Sequence, residues 1–320
     1  MILATFCSAS GRTWYITPDG TGDAPTIQAG IDSASIGDDI SLADGVYRGE
    51  GNRDIVCHGK AVTVRSGSGS PEACIIDCQG SESDPHRGFI FECSGGCHSR
   101  LEGLRIVNGY ACYGGAILDH YGASSIAIVS CVFSDNYSSM DGGAIEGMLL
   151  NISECTFLNN SCFWYGGAVN ANRASSILDC TFIGNAANEG GAVSLQNSGQ
   201  ETPQTVICGC VFLENLATLN SGAVMAWNGP TNFTLEQCIL AGNTGEASMG
   251  EVIGLVSWSS EGISGFAMTN CTVAGNQGGI GDICKPREPH IERTIIAYNT
   301  RAITGCAQPV SYTHLTLPTN

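Results

Sequence analysis

Apolar and polar positions recur along this chain in a fixed order. The first landmark is a cysteine followed two residues later by an apolar side chain and five residues later by asparagine. Six copies of this motif occur, at Cys131–Asn136, Cys155–Asn160, Cys180–Asn185, Cys210–Asn215, Cys238–Asn243 and Cys271–Asn276. Looser copies flank the six, with Gly103 before Asn108 and Thr294 before Asn299. A period of about 20–50 residues indicates a stacked repeat architecture.

Two further landmarks accompany this motif. A Gly-Gly-Ala or Ser-Gly-Ala triplet and a branched apolar residue follow the asparagine, at Gly114–Ile117, Gly142–Ile145, Gly166–Val169, Gly190–Val193 and Ser221–Val224. An apolar residue lies three positions before the cysteine position, at Ile128, Ile152, Ile177, Ile207, Leu235, Met268 and Ile291. Such a unit cannot bury its apolar face alone. Residues 101–309 are therefore predicted to wind into a right-handed parallel β-helix, an all-β solenoid.

The spacing of the apolar residues predicts where each coil bends. Three apolar positions should face inward: the cysteine, the residue three before it and the residue two after it. Because side chains alternate along a strand, these three can all face inward only if the chain turns a corner between them. After the Gly-Gly-Ala corner the next residue should face inward, and the residues two and four after the alanine should point outward. That outward strip offers candidate glycan-facing residues: His120, Asn170, Asn172, Gln196 and Trp227. A solvated face without a ligand is the alternative.

The repeated asparagine has a physical explanation. Strands of stacked coils are ~4.8 Å apart, so equivalent side chains lie on top of one another. An amide both donates and accepts, and it can pass hydrogen bonds from coil to coil at a turn where asparagine also tolerates a positive φ. The sequence therefore predicts an inward-facing asparagine ladder.

Residues 11–100 are predicted to form an N-terminal cap and the first coils. The segment Asp23–Ala34 is a predicted short helix, with Asp23 near its N-cap and Pro25 in its first turn. A helix laid over the first coil would cover an open sheet edge and exposed core. Strands are expected at Trp14–Ile16, Asp39–Leu42 and Ala61–Arg65.

Both ends of the sequence are set apart from the fold prediction. Residues 1–10 pair the apolar run Met1–Phe6 with small residues, which is typical of the back half of a secretory signal and predicts export. Residues 310–320 resemble a translated sequencing adapter, so the repeat is expected to be cut off at residue 309. The sequence contains no apolar stretch long enough to predict a membrane span.

Charge and composition narrow the range of partners. The chain carries 13 Lys and Arg against 30 Asp and Glu, a formal net charge of −17. Little cationic charge is available to neutralise phosphates, so nucleic acid is not expected as a partner. The 43 glycines favour tight turns and close backbone contacts. The acidity would suit calcium, but no specific calcium-binding motif accompanies it, and no cofactor is predicted.

The chain resembles bacterial right-handed β-helix repeat proteins of the pectin-lyase-like superfamily. The resemblance rests on the segments Thr26–Ile31 and Gly37–Tyr47 and on the repeated Gly-Gly-Ala and Phe-x-x-Asn motifs. The resemblance extends from Trp14 to Thr304. The paired Gly-Gly-Ala-Ile and Phe-x-x-Asn motifs are also similar to those of the polymorphic outer-membrane proteins of chlamydiae, which are autotransported surface adhesins. It implies the β-helix fold and an outer-surface location. One such scaffold hosts lyases, hydrolases and adhesins alike, so it leaves the function open.

The residues that the enzymes of that superfamily use are missing from the repeats. Polygalacturonate hydrolases carry clustered Asp residues with Gly-His-Gly and Arg-Ile-Lys segments, and neither string occurs here. Pectate lyases use Arg or Lys as the base, yet between Ala111 and Gly281 the basic residues are Arg173 and His120 alone. No catalytic residue is therefore assigned, and Asp38–Asp39 is expected to serve a turn.

Seventeen cysteines raise the question of disulfides. Those of the repeat motif are expected to be small buried hydrophobic residues, because stacked side chains run parallel and do not face each other. The pairs Cys74/Cys78 and Cys93/Cys97 are better disulfide candidates in an exported chain. The run Asp84-Pro-His-Arg87 gathers an acid, an imidazole and a guanidinium, and a surface loop is expected there.

These observations together predict an extracellular or cell-surface β-helix that acts as a non-catalytic binding, adhesion or structural module. The expected partner is carbohydrate or another cell-surface protein. The alternative is a polysaccharide lyase or glycoside hydrolase of the pectin-lyase-like superfamily.

Overall fold

The computed structural model describes residues 11–92, 98–119, 125–173, 175–196, 204–227, 232–246, 251–256, 265–281, 289–300 and 312–313. Four parallel sheets make up this part of the chain, of which three span most of its length and one spans only Tyr110 to Gly245, and successive coils add one strand at a time. The chain is an all-β right-handed parallel β-helix, as predicted. Within the described residues no helix has the length and apolar character needed to cross a bilayer.

In the coils that contribute to all four sheets, the sheets follow one another in a fixed order. Sheet I, before the cysteine position, contains Thr13–Ile16, Asp39–Leu42, Thr63–Ser66, His98–Glu102, Ser125–Val129, Leu149–Ser153, Ser176–Leu178, Gln204–Cys208, Asn232–Glu236, Gly265–Thr269, Pro289–Glu292 and Tyr312–Thr313. Sheet II, after the cysteine position, contains Gly45–Tyr47, Cys74–Asp77, Arg105–Val107, Val132–Ser134, Thr156–Leu158, Thr181–Ile183, Val211–Leu213, Ile239–Ala241, Thr272–Ala274 and Ile295–Ala297.

The other two sheets flank the glycine pairs. Sheet III, after the asparagine, contains Tyr110–Ala111, Tyr137–Ser138, Ser161–Cys162, Ala186–Glu189, Leu216–Asn220 and Thr244–Gly245. Sheet IV, after the glycines, contains Ile55–Val56, Phe89–Phe91, Ile117–Asp119, Ile145–Gly147, Val169–Ala171, Val193–Gln196, Val224–Trp227, Glu251–Val256 and Gly279–Gly281. The last strand of sheet I, Tyr312–Thr313, falls within the segment that the sequence sets apart as adapter-like and pairs with Ile291 and Glu292.

The core is built from stacked rows of identical side chains, as the repeat predicts. The ring centroids of Phe133 and Phe157 are 5.0 Å apart, and those of Phe157 and Phe182, and of Phe182 and Phe212, are 4.8 Å apart. All four rings are fully buried. The residue two positions after the cysteine therefore faces inward.

The cysteines of the repeat form a second buried row of free thiols, as predicted. The backbone N–H of Cys155 donates to Sγ of Cys180 at 3.4 Å, and Sγ of Cys155 donates to the carbonyl of Ser153 at 3.2 Å. At the last rung a hydroxyl replaces the thiol, and Thr294 Oγ1 accepts from the N–H of Cys271 at 3.4 Å. Burial raises the pKa of the Cys155 thiol, so it stays protonated at neutral pH.

The asparagine ladder is present and buried. Both the backbone N–H and Nδ2 of Asn160 donate to Oδ1 of Asn185, at 3.0 and 3.1 Å, and Nδ2 also donates to the carbonyl of Phe133 at 3.0 Å. The same pattern continues to Asn299. The sequence predicted a positive φ at the ladder asparagine, and this is wrong. The positive φ belongs to the residue before it, such as Asn159 with φ 52°. The ladder amides serve hydrogen bonding, and the turn is made by their neighbours.

One degenerate copy of the motif was predicted one residue out of register. The pairing in sheet II puts Leu104, and not Gly103, at the cysteine position, and puts Gly109, and not Asn108, at the asparagine position. Gly109 keeps the backbone half of the ladder, because its N–H donates to Oδ1 of Asn136 at 2.9 Å.

The N-terminal helix is shorter than predicted and spans Ile27–Ser33. Its N-cap is Thr26, whose hydroxyl accepts the N–H three residues further on at 3.2 Å. Asp23 and Pro25 precede the helix, and the Asp23 carboxylate accepts the N–H of Tyr15 at 2.8 Å. The buried apolar face of the helix packs on the first coil, which confirms its predicted capping role.

Two details of the N-terminal coils concern predicted chemistry. The disulfide predicted between Cys74 and Cys78 is wrong, since both are buried free thiols. Four residues of extended strand span about 13 Å, beyond the reach of a disulfide of about 7 Å. Cys93 and Cys97 lie outside the described residues. The Asp38 carboxylate accepts the backbone N–H of Arg12 at 2.8 Å, so this acid ties the first strand down.

Candidate functional site

The glycine pairs create a corner between sheets III and IV. The first glycine has a positive φ, which is 71° at Gly166, and a Cβ there would lie 2.2 Å from the carbonyl oxygen of Val169. A Cβ on Gly167 would lie 2.1 Å from the carbonyl oxygen of Gly191 in the next coil. Contacts this short exclude any side chain. The repeat therefore needs glycine twice, for two different reasons.

One row of side chains precedes this corner, and we call it the corner row. The N–H of Gly142 donates to the carbonyl of Tyr165 at 2.9 Å, and that of Gly166 donates to the carbonyl of Glu189 at 3.0 Å, which stacks the row coil by coil. The corner row is formed by Tyr113, Asp141, Tyr165, Glu189 and Asn220.

A second row, the outer row, follows the corner on sheet IV. Its members point away from the core, since each follows a buried inward residue, and they are paired in register as Leu118, Glu146, Asn170, Ser194 and Met225. The sequence predicts this direction, but not the burial that accompanies it. Asn170 is 1% exposed, and Ser194 and Met225 are fully buried. The chain therefore covers much of the predicted outward strip.

Two of the predicted strip residues bind the carboxyl group of Glu146 and a third binds one of those two, and with Glu146 they form what we call the Glu146 cluster. Asn170 Nδ2 donates to Glu146 Oε2 at 2.9 Å, and Asn172 Nδ2 donates to Glu146 Oε1 at 2.6 Å. Gln196 Nε2 donates to Oδ1 of Asn170 at 3.3 Å. Glu146, Asn172 and Gln196 are half-buried. The cluster thus has a buried floor and a partly open edge.

The two remaining strip residues are not brought to this cluster by described contacts. His120 lies outside the described residues. The backbone of Trp227 pairs with Gln196 on sheet IV, and its side chain lies outside the described part of the chain. Their assignment as glycan-facing residues stays a prediction.

The electrostatics of the cluster are those of an enclosed acid. The pKa of Glu146 is raised to about 8: burial is the main cause, the hydrogen bond from Asn170 opposes the rise, and the nearby charge of Asp141 adds to it. Burial also raises the pKa of Asp141 and that of Glu189 in the corner row. Glu146 is therefore mostly protonated at neutral pH and neutral in charge.

Aromatic side chains flank the corner row on its sheet III side. Phe163 is 51% exposed and Trp164 is 38% exposed, and their rings meet edge to face with centroids 4.8 Å apart. The rings of Trp164 and Tyr165 are 6.4 Å apart, and the N–H of Tyr165 donates to Oδ1 of Asp141 at 3.2 Å. Sequence reasoning missed these residues. Their signal was three consecutive aromatic residues directly before a glycine pair.

Among the described His, Cys, Asp and Glu side chains no group of three is arranged to hold a metal ion. The prediction that the protein uses no cofactor stays a prediction.

One segment of the chain matches a known protein repeat. Residues 130–147 match the model of the Chlamydia polymorphic membrane protein (Chlamydia_PMP) repeat. This segment contains one Phe-x-x-Asn motif, one glycine pair and Glu146. No curated protein matches the chain significantly.

Two solved structures align with most of the chain at low identity. Pectate lyase Pel9A is 13% identical, with 98% of this chain and 79% of that chain covered and a TM-score of 0.46. Rhamnogalacturonan lyase is 12% identical, with 92% and 70% covered and a TM-score of 0.28. Similarities this distant transfer neither a substrate nor a catalytic residue. The chain is a right-handed parallel β-helix repeat protein with a repeat similar to that of the chlamydial polymorphic membrane proteins.

Proposed function

We propose that this protein binds neutral glycans at the outer surface of a cell, and that it does so without cleaving them. The site would be the surface between the corner row and the outer row, which we call the groove. The observation that carries the proposal is the exposed Trp164 ring, which lies close to the corner row, together with the amides gathered around Glu146.

The aromatic half of the groove would supply apolar contact. Phe163 and Trp164 leave large ring areas open to solvent although both are hydrophobic. Exposed apolar surface of this kind marks an interaction site more often than a single exposed residue does. A sugar ring has an apolar C–H face that packs on an aromatic ring, and the hydroxyls at its edge remain free to hydrogen bond.

The polar half would supply hydrogen bonds. Asn172 and Gln196 are half-buried at the open edge of the Glu146 cluster, and amides both donate to and accept from hydroxyl groups. Their orientation is already set by the bonds to Glu146 and Asn170. Groups held in place in this way bind a ligand at a smaller entropic cost.

The charge of the groove favours neutral over acidic glycans. The ionisable side chains of the corner row are Asp141, Glu189 and two tyrosines, and Glu146 adds another acid. A uronate would meet these three carboxyl groups, against which the described residues beside the two rows offer two cations, the exposed Arg173 next to Asn172 and Arg87, whose guanidinium donates to the carbonyl of Tyr113 at 2.6 Å. Cell-surface location is supported by the matched repeat, which is described as belonging to membrane proteins.

Hydrolysis is the second candidate, because one observation favours it. A protonated carboxyl near a second carboxyl group, as Glu146 is near Asp141, is the acid pairing that glycoside hydrolases use. However, both carboxyl oxygens of Glu146 already accept amide hydrogens, from Asn170 and Asn172. A general acid has to approach the glycosidic oxygen within hydrogen-bond distance, which these bonds hinder. Binding without cleavage is therefore the better interpretation.

Calorimetric titration with neutral oligosaccharides and with oligogalacturonate tests the proposal. Trp164→Ala should weaken binding of the best neutral ligand by about fivefold to thirtyfold, since one aromatic contact contributes about 1–2 kcal/mol. Asn172→Ala should also weaken it, and Trp227→Ala tests the predicted strip. Tyr15→Ala removes a 62% exposed ring far along the chain and should leave affinity unchanged. Tighter binding of oligogalacturonate, or full affinity in Trp164→Ala, would contradict the proposal.

A further inference from the structure

The outer face of sheet II is uncharged over six successive coils, and we call it the sheet II face. One row of its outward side chains is paired in register as Thr156, Thr181, Val211, Ile239, Thr272 and Ile295. A second row, two residues further along each strand, begins with Leu158, Ile183 and Leu213 and continues with alanines. We propose that this face docks an amphipathic helix of another protein, whose apolar stripe is bordered on both sides by lysine or arginine.

The sheet II face is open to solvent. Ile239 and Ile295 are 46% and 44% exposed, and the other side chains of the two rows are half-buried, except that of Ala297. Across these six described strands neither row contains an ionisable side chain, although the chain has a formal net charge of −17. A contiguous uncharged strip of this kind on an acidic protein marks an interaction surface.

The N-terminal end of the face is closed by one side chain. Arg105 donates from Nη2 to Oγ of Ser134 at 3.3 Å, and its Nη1 lies 2.7 Å from Oε2 of Glu72. Ser134 and Val132, which occupy the two rows one coil before Thr156, are accordingly buried. The open strip therefore begins at the coil of Thr156.

The dimensions of the strip fit a helix. Six strands with a spacing of ~4.8 Å make it about 24 Å long, and two rows about 7 Å apart make it about 10 Å wide with their side chains. A helix of about 16 residues is about 24 Å long and about 10–12 Å in diameter. The backbone groups of sheet II are already used in strand pairing, so an extended peptide would find no backbone partner on this face. A helix satisfies its own backbone hydrogen bonds.

Acidic side chains border the strip on both long edges. Four of them are exposed at the corners that bound sheet II: Glu154 and Asp179 directly before cysteines of the repeat, and Asp135 and Glu214 directly before ladder asparagines. Among the described residues of these edges the cation is Arg293, and its guanidinium lies 3.1 Å from Oε1 of Glu292. Lysine or arginine on both flanks of an apolar stripe would lie against these acids.

The same features argue against a second copy of this chain as the occupant. A strip of about 24 by 10 Å offers roughly 240 Å², well below the ~800 Å² that each partner buries in a stable dimer. Two such faces would also bring the acids of one copy against those of the other. An anionic membrane surface would be repelled in the same way.

Fluorescence anisotropy with a labelled peptide of about 16 residues tests the inference. The peptide would form a helix with a leucine stripe flanked by lysines. One control peptide carries glutamate in place of each lysine, and the other has the same composition in an order that breaks the stripe. The first peptide should bind about tenfold more tightly than either control, or better, and raising the salt from about 0.05 to about 0.5 M should weaken it.

A matched pair of substitutions tests the location. Val211→Lys places a cation in the sheet II face and should weaken peptide binding about tenfold or more. Val206→Lys is the control, since Val206 is also outward and half-buried in the same coil but lies on sheet I, and it should leave affinity unchanged. Asp179→Asn combined with Glu214→Gln keeps both rows intact and should weaken binding about threefold to tenfold. Circular dichroism would show that each variant is folded.

Equal binding of the three peptides, or full affinity in folded Val211→Lys, would overturn the inference. So would a dimer in sedimentation equilibrium that Val211→Lys dissociates, because a second copy would then occupy the face. Binding to phosphatidylcholine vesicles that the same substitution abolishes would assign the face to a membrane instead. The two proposals fail separately, since Trp164→Ala should leave peptide binding unchanged and Val211→Lys should leave binding of neutral oligosaccharides unchanged.

Discussion

Replacing Asn185 with leucine perturbs one interior rung of the asparagine ladder. The side chain makes four hydrogen bonds. Its Nδ2 donates to Oδ1 of Asn215 at 2.9 Å and to the carbonyl of Phe157 at 3.1 Å. Its Oδ1 accepts the backbone N–H and Nδ2 of Asn160 at 3.0 and 3.1 Å. Leucine removes all four and leaves the backbone N–H of Asn160 buried without an acceptor.

The free energy of unfolding should fall by about 2–4 kcal/mol. The orphaned N–H costs about 1–3 kcal/mol, and the other three bonds contribute about 0.5–1.5 kcal/mol each. Burial of the leucine side chain and relaxation around it return about 1–3 kcal/mol of this. Urea unfolding followed by circular dichroism measures the change.

The matched control is Asn151→Leu, the same substitution at an exposed strand position on sheet I. Its side chain makes a single exposed hydrogen bond, to Ser125 at 2.7 Å, so stability should change by less than about 0.5 kcal/mol. If Asn185→Leu were as stable as this control, the ladder would not contribute what its geometry implies.

Four further substitutions test other parts of the account. Gly167→Ala, whose Cβ would clash with the carbonyl of the next coil, should unfold the protein or cost more than about 3 kcal/mol by urea denaturation. Gly275→Ala has a positive φ but open space around it, and should cost about 1–2 kcal/mol. Cys180→Thr should be tolerated within about 1 kcal/mol, because a threonine hydroxyl already replaces the thiol in the last rung, and a larger loss would refute that equivalence. The pKa of Glu146 is raised to about 8 in the folded chain, so the stability it contributes is complete below the unfolded pKa and is lost as the pH rises through 8. Glu146→Gln should flatten this slope in urea midpoints measured from pH 5 to pH 9, and an unchanged slope would exclude Glu146 as its source.

The inward-facing half of the fold could be predicted from the sequence because the repeat is nearly one-dimensional. Each coil contacts its neighbours at the same positions, so one motif fixes the direction of every Cys180 or Asn185 equivalent along the stack. Where the motif degenerates this logic fails. At Gly103 and Asn108 the prediction is one residue out of register, because the strand pairing puts Leu104 and Gly109 at the motif positions.

The outer row was predicted in direction but not in burial. Alternation along a strand determines that Asn170 and Ser194 point away from the core, yet it says nothing about the chain that then covers them. The contact between Glu146 and Asn170 could have been predicted from the sequence, since both residues occupy the same position in successive repeats.

Whether the groove binds without cleaving is the central claim, and a product assay tests it most directly. Wild-type protein would be incubated for many hours with the neutral oligosaccharide that it binds best. A parallel incubation would use oligogalacturonate, both with calcium and without it. Mass spectrometry would follow the chain lengths of the oligosaccharides. The account predicts that every chain length stays unchanged and that no unsaturated uronate absorbance appears. New reducing ends that vanish in Glu146→Gln, or unsaturated uronate that vanishes when Arg173 is replaced, would contradict it.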